Sequence, residues 1–305
     1  MARFGLQIMS FNFPPPEMFE RTVEAAQAAE RSGFDSVWVM DHLFQLPPLG
    51  GPDFPMLESY TVLGAIGART ERVKLGALVG GVTYRNPSLV AKCATTLDVV
   101  SNGRAICGLG AAWFEVEHIG LGFDFPPAGE RLSRLEEAVQ ICRAMFTEEK
   151  PTFDGRYYRI KEARNVPRPI RPEGIPIMIG GGGERRTLKI VARYADMCNL
   201  FGDAETLRHK FDVLRAHCDG VGRDYEAITR SRLATLMIAD TEEDASKLRE
   251  QFASVRRAGF NIGTEKQILL QLEELQQAGV QYFIFNLPEY TSEAVQRAGE
   301  LFSAA

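Results

Sequence analysis

The sequence predicts a closed (β/α)8 barrel, the TIM-barrel architecture. Short apolar runs alternate with stretches of helical period eight times along the 305 residues, the pattern of parallel strands returned by crossover helices. The competing architecture, an open doubly wound sheet, carries a glycine-rich turn after its first strand. Here that strand is followed by Ser10-Phe11-Asn12-Phe13-Pro14, with no glycine. Length agrees, because barrels of about 250 residues or more form one domain. The reading is therefore a single domain over residues 1–305.

The elements follow in order. Residues 4–9 are the first strand, and Pro14, Pro15 and Pro16 lead into a helix over 17–31. A second strand over 36–40 precedes a helix that starts near Glu58. Residues 73–79 are the third strand. Asn86 then offers a cap and Pro87 an N1 proline for a helix reaching Val100. The fourth strand, 104–110, is followed by a helix over 130–146 with Leu132, Leu135, Val139, Cys142 and Met145 at helical spacing. The rhythm breaks over about 148–175, where residues 152–158 alternate around Asp154-Gly155, a hairpin signature. This stretch reads as an insertion. Strands over 176–179, 197–201, 232–239 and 282–286 complete the eight. Helices are expected over 185–194, after Ala204, over 242–257, from the capping box Thr264-Glu265-Lys266-Gln267, and over 292–302.

Composition removes several function classes. Lys plus Arg is 35 and Asp plus Glu is 40, a formal charge of −5, and no basic stripe marks a nucleic-acid surface. No apolar run approaches the roughly 18 residues of a membrane span, and the first residues enter a strand-like run without a signal-peptide pattern. Five scattered cysteines without a CxxC argue against disulfides and zinc, which points to a reducing cytoplasm. His42, His118, His209 and His217 show no metal-ligand spacing, so no metal is expected.

Barrel enzymes work at the C-terminal ends of their strands. The strongest signal there is Gly180, Gly181, Gly182 and Gly183 followed by Glu184, between a strand and a helix. Such a loop lets backbone approach closely, and the helix start presents free N–H groups, so it reads as a phosphate cradle. Asp41-His42 ends the second strand. Leu78-Val79-Gly80 closes the third, where the glycines suggest a bulge, a backbone pressed on a ligand, or a plain loop entry. Gly110, Ala111 and Ala112 would let a flat ring lie on backbone with Trp113 as a wall, unless Trp113 packs beneath the loop. A Schiff-base mechanism lacks its lysine, since Lys74 begins its strand.

These motifs together resemble the bacterial luciferase-like monooxygenase superfamily, and within it the branch that uses the deazaflavin coenzyme F420. The resemblance rests on Val39-Met40-Asp41-His42-Leu43-Phe44-Gln45, on Leu75-Gly76 through Thr83-Tyr84-Arg85-Asn86-Pro87, on Gly108-Leu109-Gly110-Ala111-Ala112-Trp113-Phe114-Glu115-Val116-Glu117-His118, and on residues 179–196. It implies a homodimeric oxidoreductase whose coenzyme ring sits at the strand ends. A bulged third strand would back the ring, with a non-proline cis peptide at Leu78-Val79. The phosphate tail would lie on the four-glycine loop. His42 would exchange a proton, with Asp41 positioning it. FMN with oxygen, in a flavin monooxygenase, is the alternative coenzyme chemistry, and a non-catalytic flavin-binding relative is a further one. The sugar-phosphate dehydrogenases of the branch carry a glutamate where Trp113 stands and a tryptophan where Leu46 stands. Their acidic residue after the first strand is replaced by Phe11-Asn12-Phe13. Phe44, Phe114 and Phe201 join these at the expected mouth, which points to a small apolar or aromatic substrate.

Overall fold

A computed structural model describes residues 2–253 and 259–303. In chain order the strands are β1 Arg3–Ile8, β2 Ser36–Val39, β3 Lys74–Ala77, β4 Gly80–Gly81, β5 Ala105–Gly110, β6 Phe153–Asp154, β7 Arg159–Ile160, β8 Ile177–Gly180, β9 Met197–Leu200, β10 Thr229–Ile238, β11 Phe260–Gly263 and β12 Tyr282–Asn286. The helices are α1 Pro15–Arg31, α2 Ser59–Arg69, α3 Pro87–Val100, α4 Glu115–Leu121, α5 Ala128–Thr147, α6 Thr187–Tyr194, α7 Ala204–Val221, α8 Glu242–Gln251, α9 Glu265–Gln277 and α10 Ser292–Phe302. Parallel pairing runs β1-β2-β3-β5-β8-β9-β10-β12 and returns to β1, which closes the barrel. None of the described helices is long and apolar enough to cross a membrane.

Local chemistry explains most boundaries. Pro15 occupies the first turn of α1, where a missing N–H costs nothing. Asn86 caps α3 by accepting from Ser88 N–H at 2.9 Å, with Pro87 at N1. Thr264 and Gln267 make the capping box of α9. The main core lies between the barrel and its helices. A second apolar cluster, including Trp38, Met178, Leu233 and Ile284, fills the barrel itself. The five cysteines are all free thiols, four of them buried.

Several elements differ from expectation. The third strand is not continuous. Gly76 pairs with Ile106 and Gly80 with Leu109, so one extra residue is accommodated on the third-strand side, as in a bulge. The Leu78-Val79 peptide inside that bulge is cis. In the hairpin, Asp154 pairs with Arg159, leaving a four-residue loop in place of an Asp-Gly turn. The Glu137 carboxylate accepts from the N–H groups of Arg156, Tyr157 and Tyr158 at 2.9–3.0 Å and holds that wider loop. Two short elements, α4 and β11, carry too few residues for a periodic signal. The helix expected over 242–257 ends at Gln251, and residues 254–257 of that expectation lie outside the described residues.

The bulge imposes a steric requirement on its neighbour. A Cβ at Gly108 would collide with the backbone carbonyl of Ala77, which cannot rotate away as a side chain could. Gly108→Ala should therefore destabilise the protein by about 1–3 kcal/mol, measured as a lower urea midpoint with an unchanged m-value.

Candidate active site

The end of β2 carries two residues with separate duties. Asp41 is buried, and its carboxylate accepts from Arg85 Nη1 at 2.8 and 2.9 Å, from Gly81 N–H at 3.0 Å and from the Ser59 hydroxyl. Arg85 also reaches Glu58, whose own carboxylate caps the start of α2. Burial pushes the Asp41 carboxyl up, against Arg85, Ser59 and the Gly81 N–H, which favour its charge. The expected contact between Asp41 and His42 is not formed, because every bond of this carboxylate goes to the bulge, α2 and the loop before α3.

His42 is oriented by a different carboxylate. Its Nδ1 lies 2.7 Å from Glu117 Oε1, on a side chain that is 0% exposed. Glu117 Oε2 accepts from Leu43 N–H at 2.7 Å and Phe44 N–H at 3.1 Å, and the Tyr84 hydroxyl donates to Oε1. An ionised carboxylate only accepts, so Nδ1 carries the proton and Nε2 is left for a reactant. Burial raises the Glu117 carboxyl, but the bonds from His42, Tyr84 and Leu43 outweigh it and hold it below its ordinary value. Burial and the bond to Glu117 raise the Tyr84 hydroxyl. Glu117 and Tyr84 both fall within the motifs that carry the family resemblance, yet spacing alone did not single them out. Their roles depend on α4, a seven-residue helix without a legible period.

Trp113 stands at the rim, 62% exposed, its ring 5.4 Å from that of His42 in edge geometry. It does not pack beneath the loop. Ala112 adopts φ 57°, and the Ala111 carbonyl accepts from Arg131 Nε at 3.0 Å, which fixes the turn that presents Trp113. Phe201 is also exposed, whereas Phe11 and Phe114 are buried, the Phe114 ring lying 5.4 Å from that of Trp113 and 5.8 Å from that of His42. Phe44 is partly covered and lies against Gly120 of α4.

The glycine loop divides its work more finely than expected. Cβ atoms at Gly110 and Gly180 would stand 2.7 and 2.6 Å from Val79 Cγ2, so these two glycines make room for Val79. Gly181 has φ 125° and donates to Asn199 O at 3.1 Å. No acceptor among the described residues takes the N–H groups of Gly182 and Gly183, and α6 begins at Thr187 without a side-chain cap. Residues 184–186 form a turn between them. The Glu184 carboxylate accepts from Lys210 Nζ at 2.5 Å and lies 3.2 Å from His209 Nε2. The Lys210 side chain also flanks Gly182.

Fold and site together define a (β/α)8 barrel with an oriented histidine, a bulged third strand and an open glycine loop at one mouth. The sequence profile of the luciferase-like monooxygenase family matches residues 3–261, and the chain belongs to that family. It is 32% identical over 306 residues to an F420-dependent glucose-6-phosphate dehydrogenase of Nakamurella multipartita, covering 96% of this chain and 86% of that one. Another protein of that name, from Intrasporangium calvum, is 40% identical over 198 residues, 64% of this chain and 55% of its own length. The chain spans about half to two thirds of the length of most of the curated relatives it matches. Among solved structures, an F420-dependent secondary alcohol dehydrogenase in complex with an F420-acetone adduct superposes with a TM-score of 0.82 at 20% identity, covering 99% and 98% of the two chains. The EDTA monooxygenase from Chelativorans sp. BNC1 gives 0.84 at 14% identity, with 100% and 94% covered.

The two carboxylates give separable expectations. Asp41→Ala leaves the Arg85 guanidinium buried without its main partner and should cost about 3–5 kcal/mol of stability in urea unfolding. For Glu117 the folded pKa is depressed, so its charge stabilises fully above the ordinary glutamate value of about 4.3 and less as pH falls through the folded value. The stability gap between wild type and Glu117→Gln should therefore shrink on going from neutral to acidic pH, read from urea midpoints at each pH.

Proposed function

We propose that this chain is an oxidoreductase that uses coenzyme F420 and acts on a small substrate with an apolar or aromatic part. The observation that carries this reading is the meeting, at one mouth, of His42 oriented through Nδ1 and a glycine loop with two unclaimed N–H groups. The relatives named as F420-dependent dehydrogenases support it. When bound, the deazaflavin supplies the hydride chemistry.

The residues present fit such a coenzyme. The Gly182 and Gly183 N–H groups and the uncapped start of α6 suit a phosphate, with Lys210 beside them. Leu78, Val79 and Gly80 form the bulge that would back the ring, and Val79 is seated between Gly110 and Gly180. His42 Nε2 is the group placed to take or give the substrate proton, and Glu117 stabilises the charged ring as it forms. Trp113 and Phe201 supply apolar surface to the substrate side. The cations around the mouth favour an uncharged substrate over a sugar phosphate. Arg85 is bound by Asp41 and Glu58, and Arg131 by backbone carbonyls, while Lys210 lies beside the loop assigned to the coenzyme.

Titrating the protein with F420 and, separately, with FMN tests the coenzyme. Saturable fluorescence quenching is expected with F420 at concentrations where FMN gives none, and the reverse order would overturn the reading. His42→Ala should lower F420-linked turnover of alcohol substrates by about 10²–10⁴-fold with F420 affinity retained; an unchanged rate would remove His42 from proton transfer.

A further inference from the structure

Four donors converge on the Glu117 carboxylate. The Leu43 and Phe44 N–H groups take Oε2, whereas His42 Nδ1–H and the Tyr84 hydroxyl share Oε1. The two donors on Oε1 differ in kind. His42 gains a charge whenever Nε2 takes a proton, and Glu117 stabilises that charge through the negative charge carried on Oε1. A hydroxyl bonded to the same oxygen draws on that charge and sets its own positive end beside the imidazole.

The Tyr84 ring is held on two sides. It stacks on His118, with centroids 4.7 Å apart and planes at 28°. His118 is buried and bonded at both nitrogens, Nδ1 2.7 Å from Phe114 O and Nε2 2.7 Å from Thr83 Oγ1. Gly81 of β4 leaves the ring its room, since a Cβ there would stand 2.5 Å from Tyr84 Cε2. Tyr84 N–H also donates to Gly81 O at 3.1 Å. Burial and the bond to Glu117 raise the Tyr84 hydroxyl, so it stays a donor wherever an imidazole titrates. The other charged groups at the end of β2 are occupied elsewhere: Asp41, Arg85 and Glu58 are bonded to one another. Glu115 of α4 is exposed to solvent, and Trp113 and Phe114 meet the imidazole edge-on without charge.

We infer that Tyr84 is a positioning residue that keeps a proton on His42 Nε2 loosely held. Acting through Glu117, its hydroxyl lowers the proton affinity of Nε2. The imidazole is then neutral, and able to accept a proton, down to a lower pH than Glu117 alone would allow. This role rests on the oxidoreductase reading only for giving Nε2 a substrate; the interaction belongs to the unloaded protein. A purely structural hydroxyl would act in the opposite sense. If it did no more than hold Glu117 in place, its removal would loosen the carboxylate from Nδ1 and weaken support for the charged ring.

Histidine ring NMR signals of the unloaded protein, followed against pH, test this, with His42 assigned by its loss in His42→Ala. Tyr84→Phe should move the His42 midpoint up by about 0.5–1 pH unit. Glu117→Gln should move it down, since the charge that supports the imidazolium is gone. 3-Fluorotyrosine at position 84, a stronger donor of nearly the same shape, should also move it down, and decides the matter if Tyr84→Phe does not fold. An unchanged or lowered midpoint in Tyr84→Phe would overturn the role, as would an unchanged or raised one with 3-fluorotyrosine. Because no coenzyme takes part, a failure of the protein to bind F420 would remove the coenzyme reading and leave this result standing.

Discussion

The mouth of this barrel depends on one buried carboxylate. Asp41 sits where four pieces of chain must meet: the end of β2, the β4 backbone, the first residue of α2, and the loop that carries Arg85. Removing a charge from water is expensive unless it is paired and fully bonded, and here every approach to the carboxylate is occupied. Gly81 can donate to it only from the far side of the bulge, so the shape of the third strand and the position of Asp41 are mutually required. With Asp41 committed downward, the chain from His42 to Phe44 is free to turn its ring and its N–H groups toward Glu117.

That arrangement splits structure from chemistry between neighbouring residues. One carboxylate fastens loops, and another, reached through α4, sets the tautomer of the histidine. The glycines follow a similar division. Gly110 and Gly180 make room for Val79, Gly181 needs its backbone angle, and Gly183 makes room for the Thr187 side chain. A side chain placed in the bulge thus dictates which neighbouring strands must lack a Cβ.

The barrel was legible in the sequence because each strand–helix unit carries its own period and its own cap, as Asn86-Pro87 and Thr264 to Gln267 show. His42 and the glycine loop were legible because a strand end in a barrel is a place with a known use. The partners of His42 were not. Glu117 follows it by 75 residues on a short helix, and no local pattern states which of two carboxylates will face an imidazole. The hydrophobic count at the mouth did not separate exposed rings from buried ones such as Phe11 and Phe114, since composition does not say how deeply a ring will sit.

The chain has two tryptophans in contrasting places. Trp38 is sealed in the barrel with its indole N–H on Ser36, while Trp113 stands in solvent at the rim beside His42. The two indoles therefore stand in opposite surroundings, one inside the barrel and the other at the mouth beside the oriented histidine.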